Sequence, residues 1–167
     1  MKFETRIPGF TIRMANKQDV PLILEFIKMM AEYEKLSHEL VVTEETLQKY
    51  LFSEKQAAEV IIGEFERKPV AFALFFQNFS TFMGKPGLYL EDIFVLEKMR
   101  NRGFGRVMLS YLAKLACERG YGRFEWVVLD WNTPAIEFYK SLGAEIKKEW
   151  WINRLTGKSL QNLASEF

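Results

Sequence analysis

The chain has 167 residues, is 49% hydrophobic and 27% charged, and carries a net charge of +1. Such a composition suits a folded domain with a sizeable core and gives no bulk electrostatic reason to bind nucleic acid. One cysteine (Cys117) excludes an intramolecular disulfide framework and a cysteine-based zinc cluster; the one histidine, His38, lies in a polar loop-like stretch, so no histidine-centred metal site or triad is expected, and no metal.

Residues 1–167 read as one domain, without repeats or linkers. Residues 1–9 read as a flexible arm without the apolar core of a secretory signal. No apolar run is long enough to span a bilayer, so a cytoplasmic location is expected. Phe10 to Met14 reads as a strand. Asn16-Lys17-Gln18-Asp19 offers caps for a helix over about 20–35, with Leu22, Phe26, Met29, Met30 and Tyr33 at helical spacing. Ser37 to Val42 is a loop, and Thr43-Glu44-Glu45-Thr46 carries N-terminal capping chemistry for a second helix. Runs 59–66 and 69–79 around Glu66-Arg67-Lys68 form a hairpin. Gly84-Lys85-Pro86-Gly87 reads as a turn into a strand over 88–96. A helix follows over 107–117, where Cys117 is expected to pack as a small hydrophobe. The chain closes with a strand over 124–130, a helix over 133–141 with Pro134 in its first turn, and a strand over 145–152. This order implies a mostly antiparallel sheet with helices on its faces.

Between strand 88–96 and the next helix lies Arg100-Asn101-Arg102-Gly103-Phe104-Gly105-Arg106. Strand, glycine-bearing turn and helix start together make an anion cradle, because backbone N–H groups converge there and the helix dipole adds positive charge. Gly103 and Gly105 permit positive φ, as Asn101 does more rarely, and the arginines offer forked donors suited to phosphate. A diphosphate-bearing cofactor fits this loop. A plain helix entry with a solvated basic face is the alternative. A Rossmann site fits less well, since Met108 stands where the third glycine belongs.

Glu91 and Asp92 interrupt the preceding apolar strand. Alternation sends them to opposite faces unless a bulge resets it, so one of them is either a structural acid or part of a site. The second constellation runs from Asn132 to Ala144. Here Ala135, Tyr139 and Gly143 fall four apart on one helix face, so the phenol is flanked by small residues.

Taken in order, Arg-x-x-Gly-x-Gly at 100–105 and Asn-x-x-Ala-x-x-x-Tyr-x-x-x-Gly-Ala at 132–144 resemble the GCN5-related N-acetyltransferase (GNAT) family. Leu88-Tyr89-Leu90-Glu91-Asp92 with Phe94-Val95, Glu32-Tyr33-Glu34, Val42-Thr43-Glu44 and Trp131-Asn132-x-Pro134 are similar to its spermidine/spermine (diamine) branch. The similarity runs from about Ile12 to about Trp151. Asn101 and Arg102 replace the Gly-Phe pair of close diamine acetyltransferases.

The resemblance implies an α/β (α+β) GNAT fold, with a mixed, mostly antiparallel sheet of six to seven strands flanked by four helices. It implies acetyl-coenzyme A as cosubstrate, its diphosphate on the loop from Arg100 and Asn101 through Arg102, Gly103, Phe104 and Gly105 to Arg106. A bulged strand would offer backbone groups of Ile93, Phe94 and Val95 to the cofactor, with Asn132, Pro134 and Ala135 also touching it. Glu91 would be the base and Tyr139 the general acid. Tyr33, Glu34, Glu91, Glu125, Trp126, Val127 and Glu149 would meet the acceptor, a small-molecule amine. A homodimer follows from the branch, with Phe75, Phe76, Phe79 and Phe82 compatible with an interface or with the core; no nucleic-acid or membrane partner is expected. A non-catalytic acyl-coenzyme A-binding module and a protein or peptide N-acetyltransferase stand as alternatives.

Overall fold

The computed structural model describes residues 2–167, which divide into two compact units, 2–127 and 128–167. The first holds β1 (Lys2–Glu4), β2 (Phe10–Met14), α1 (Val20–Tyr33), α2 (Glu44–Leu51), β3 (Glu59–Phe65), β4 (Lys68–Ser80), β5 (Lys85–Val95), α3 (Phe104–Glu118) and β6 (Arg123–Trp126). Its six strands lie side by side in chain order. Neighbours from β1 to β5 are antiparallel, and β6 joins β5 in parallel. The second unit holds α4 (Thr133–Ser141) and α5 (Gly157–Ala164). The α/β class and the mixed, mostly antiparallel sheet are as expected; the described residues form five α-helices, not four.

Local signals set several boundaries. Asn16 Oδ1 accepts from the Gln18 N–H while Asp19 Oδ2 accepts from the Asn16 N–H, which starts the helical run leading into α1. Thr43 Oγ1 accepts from the Thr46 N–H, capping α2. Glu66 and Arg67 both take positive φ, and the hairpin closes on them.

Side chains sort onto two sheet faces. Val60, Ile62, Phe72 and Phe94 pack with Ile23 and Phe26 of α1 and Leu47 and Leu51 of α2. On the other face Phe10 stacks on Phe104 of α3, with ring centroids 4.2 Å apart. Gly63 sits between β2, β4 and α3. A Cβ there would lie 2.8 Å from Phe10 Cζ and 3.1 Å from both Ala71 Cβ and Met108 Sδ. Gly63→Ala is therefore expected to cost about 1–3 kcal/mol through overpacking, read as a lower denaturant midpoint.

Five expectations are corrected. Residues 2–4 are not a loose arm but the edge strand β1. Lys2 pairs in register with Arg13 and forms an ion pair with Glu64, and Phe3 meets the Tyr111 ring at 5.1 Å. The turn before β5 spans 81–84, and Lys85 already pairs with Ser80. The strand expected over 124–130 ends at Trp126, since its ladder with β5 stops at Leu90. The strand expected over 145–152 does not form. That segment is exposed coil with Trp150, Trp151 and Ile152 adjacent rather than alternating, and no strand lies in its unit to pair with it. Cys117 is exposed on α3 rather than packed. Phe75 belongs to the core and Phe76 stacks on Tyr89, whereas Phe79 and Phe82 are exposed.

Candidate active site

β5 decides the geometry. Leu74 pairs with Asp92 and the next residue of β4, Phe75, pairs with Leu90, so Glu91 is an extra residue without a partner on β4. This β-bulge resets the alternation. Tyr89 before it shares a face with Phe76, and Asp92 and Phe94 after it share that same face, the one packed by α1 and α2. The ladder on the other side of β5 also ends here. β6 follows β5 only over Gly87–Leu90, so Glu91 to Val95 have β4 on one side and no strand among the described residues on the other. An open strand edge of this kind offers unused backbone donors and acceptors to an extended ligand.

Beyond β5 the chain forms the expected cradle. Asn101 takes φ 61° and Gly103 φ 82°, two left-handed residues that turn the backbone sharply into α3. Gly103 is the N-cap of α3, with no side-chain cap at its N–H groups, and the first helical bond runs from the Val107 N–H to the Gly103 carbonyl. The helix begins at Phe104, earlier than its pattern suggested, because the Phe104 ring plugs into the core beside Phe10 and Phe65. Phe104 and Phe94 are thus buried side chains, and only their backbones are available to a ligand. Arg102 and Arg106 are exposed at the loop.

Asp92 turns toward the α1 face, with Glu91 and Glu34 near enough for their charges to act on it. Asp92 is largely enclosed, and its pKa is pushed up to about 7 by burial, then by the charge of Glu91, then by that of Glu34. Burial also raises the pKa of Glu34, the residue that ends α1. The charges of Glu91 and Glu34 thus both reach Asp92. Asp92 was not among the expected site residues. Its signal was in the sequence, an acid directly after a potential bulge residue, but only the register settles which acid turns inward. Tyr33 lies beside Glu34 at the end of α1, and the Arg100 guanidinium sits 4.2 Å from its ring centroid.

On β6, the Glu125 carboxylate is held by Asn78 Nδ2 at 2.8 Å and paired with Arg123, while Trp126 meets Phe124 at 4.9 Å and Val127 is exposed.

The sequence profile of the acetyltransferase (GNAT) family matches residues 27–144, which take in the second half of α1, the bulged strand, the cradle and α4. The chain belongs to the GNAT acetyltransferase family. The acetyltransferase is 36% identical to L-ornithine N5-acetyltransferase of Arabidopsis thaliana, covering 90% of this chain and 86% of that one. It is 34% identical to thialysine N-epsilon-acetyltransferase of Mus musculus, covering 92% and 96%. Among solved structures, an integron cassette protein of V. cholerae matches with a TM-score of 0.78 at 27% identity, over 93% of this chain and 98% of that one. No helix of the acetyltransferase among the described residues is long and apolar enough to cross a membrane.

In its second unit, Asn132 caps α4: its Oδ1 accepts from the Ala135 N–H at 3.3 Å, a use of the amide that sequence reasoning overlooked. Pro134 is in the first turn as expected. Tyr139 is half-buried one turn beyond Ala135, and Gly143 ends the run at φ 87°. Glu149 lies in the exposed segment after α4 rather than on a strand.

Proposed function

We propose that this acetyltransferase moves the acetyl group of acetyl-coenzyme A onto a primary amine of a small cationic acceptor, a polyamine, a diamine or a lysine-like molecule, by direct attack. One observation carries the acceptor class. Glu34, Glu91 and Asp92 gather negative charge at one place and leave Asp92 with a pKa near that of a working base, about 7. A second cationic group on the acceptor answers that charge. The names of the two relatives, which acetylate ornithine and thialysine, support the same class.

Roles follow from the residues. The backbone from Arg100 through Asn101, Arg102, Gly103, Phe104 and Gly105 to Arg106 holds the diphosphate, with the Arg102 and Arg106 side chains adding charge. Ile93, Phe94 and Val95 offer backbone groups on the open edge of β5, and Asn132, Pro134 and Ala135 complete the cofactor contacts. The cosubstrate supplies the activated acetyl group. An ammonium with a pKa of roughly 10 must lose a proton before it can attack, and the Glu91–Asp92 pair accepts it directly or through water. Tyr139 Oη delivers a proton to the departing thiolate. Tyr33, Glu34 and Glu91 orient the acceptor, and Trp126 and Val127 are assigned to the same set by position. Glu125 enters this set by position, although Asn78 and Arg123 already engage its carboxylate, and Glu149 is assigned by position alone. The reading takes residues 1–167 as one catalytic domain, cytoplasmic and homodimeric.

The experiment is thiol release from acetyl-coenzyme A across a panel of diamines, polyamines, basic amino acids and peptides. Release is expected with short dicationic amines. Silence across the panel sinks the reading, and release with peptides alone moves the acceptor to a polypeptide.

A further inference from the structure

Arg100 opens the cradle, and its place in the motif groups it with the cations that surround an anion. Its side chain is engaged elsewhere. The guanidinium lies 4.2 Å from the Tyr33 ring centroid and 5.4 Å from that of Phe94. Its Nε donates to the Val95 carbonyl at 3.1 Å, and Nη1 stands 3.9 Å from the Glu97 carboxylate. The charge is thus held between the last turn of α1 and the end of β5; Arg102, 5.9 Å from the Phe65 ring centroid, is exposed at the loop and Arg106 is exposed on the first turn of α3. A planar cation over an aromatic face is a directional contact, stronger where water is partly excluded.

What the stack fixes matters for the acceptor. Tyr33 is the last residue of α1, and Glu34 follows as its C-cap, its N–H bonded to the Met30 carbonyl at 2.9 Å. Lys35 then turns away at φ 62°. The Glu34 carboxylate therefore goes where that final turn goes, and the Tyr33–Arg100 stack ties the turn to β5, the strand that carries Glu91 and Asp92.

We infer that Arg100 is a positioning residue of the acceptor site and not a ligand of the cofactor's phosphates: its guanidinium holds Tyr33, and through Tyr33 the Glu34 carboxylate, beside Asp92. This rests on the amine-acetyltransferase reading above. The Arg100 backbone still belongs to the cradle, and the cradle's electrostatic work falls to Arg102 and Arg106.

The test compares Arg100→Gln, Arg100→Lys, Tyr33→Phe, Tyr33→Leu and the Arg100→Gln/Tyr33→Leu double variant. Steady-state kinetics give KM for the best amine, and calorimetry gives Kd for coenzyme A. Arg100→Gln is expected to raise the acceptor KM roughly tenfold while coenzyme A Kd stays within about twofold. Tyr33→Phe keeps the ring and should stay close to the unsubstituted enzyme, whereas Arg100→Lys, without the planar fork and the Nε bond to Val95, should recover only part of the loss. Tyr33→Leu should match Arg100→Gln, and the double variant should be no worse than either. A coenzyme A Kd that rises as much as the acceptor KM, or an unchanged acceptor KM, overturns the inference. Should the unsubstituted protein acetylate no amine, the functional reading itself fails. The stack is then judged by a denaturation double-mutant cycle between Arg100 and Tyr33, with zero coupling counting against it.

Discussion

Asp92→Asn is expected to lower kcat/KM for the amine by about 10²- to 10³-fold and to make the folded protein more stable above neutral pH. Both effects have one cause. Burial, Glu91 and Glu34 raise the folded-state pKa to about 7, whereas an unfolded aspartate titrates near ~3.9. Between those values the folded chain holds a proton that the unfolded chain has released. The resulting stabilisation is complete below pH ~4 and is lost as pH rises through 7, where an enclosed carboxylate must carry its charge. Asparagine keeps the shape and removes the charge. At pH 8 the variant should gain on the order of 2 kcal/mol, after local relaxation and solvent screening are allowed for, and near pH 4 the gain should vanish. Urea denaturation at the two pH values reads this directly. The activity loss follows because the remaining acids lack a partner that both attracts an ammonium and takes its proton. Wild-type kcat/KM should climb with pH through about 7, and the variant should lose that limb. An Asp92→Asn enzyme with normal amine kinetics would remove this residue from the mechanism.

Tyr139→Phe is expected to reduce kcat by about 10²- to 10⁴-fold, the range for losing a positioned proton donor, with the Kd for coenzyme A nearly unchanged. The substitution deletes one hydroxyl and leaves the ring that meets Phe138 at 5.5 Å, so α4 should keep its packing. Two further readouts separate a proton donor from a binding group. The loss should be smaller with thioesters whose thiol is more acidic, because such a leaving group departs without a proton. KM for the amine should move little. Equal losses in turnover and cofactor affinity would instead mark the phenol as a binding contact.

The cradle was legible because its chemistry is local. Left-handed turns at Asn101 and Gly103, a helix start and flanking arginines occupy seven consecutive residues, and the backbone realises them as expected. The capping pairs at Asn16 and Thr43, the hairpin at Glu66 and Arg67, and Pro134 in the first turn of α4 were readable for the same reason. Long-range pairing was not. The β1 edge exists because Lys2 finds Glu64 and Phe3 finds Tyr111, partners far along the chain. Segment 145–152 carries strand-forming residues but finds no ladder in its own unit, and stays coil.

By itself, then, the order of residues determined the elements from Phe10 to Ser141 in outline, the anion-binding turn and the family to which the chain belongs. The three-dimensional packing decided which carboxylate turns inward. A bulge at Glu91 shifts the register by one residue and brings Asp92 onto the α1 face. It decided also that Arg100 lies against Tyr33 rather than out in the loop. The reason is one of range. Turn chemistry and helix caps act within a few bonds of the residue that supplies them, whereas strand register and ring stacking depend on which distant segments the fold brings together.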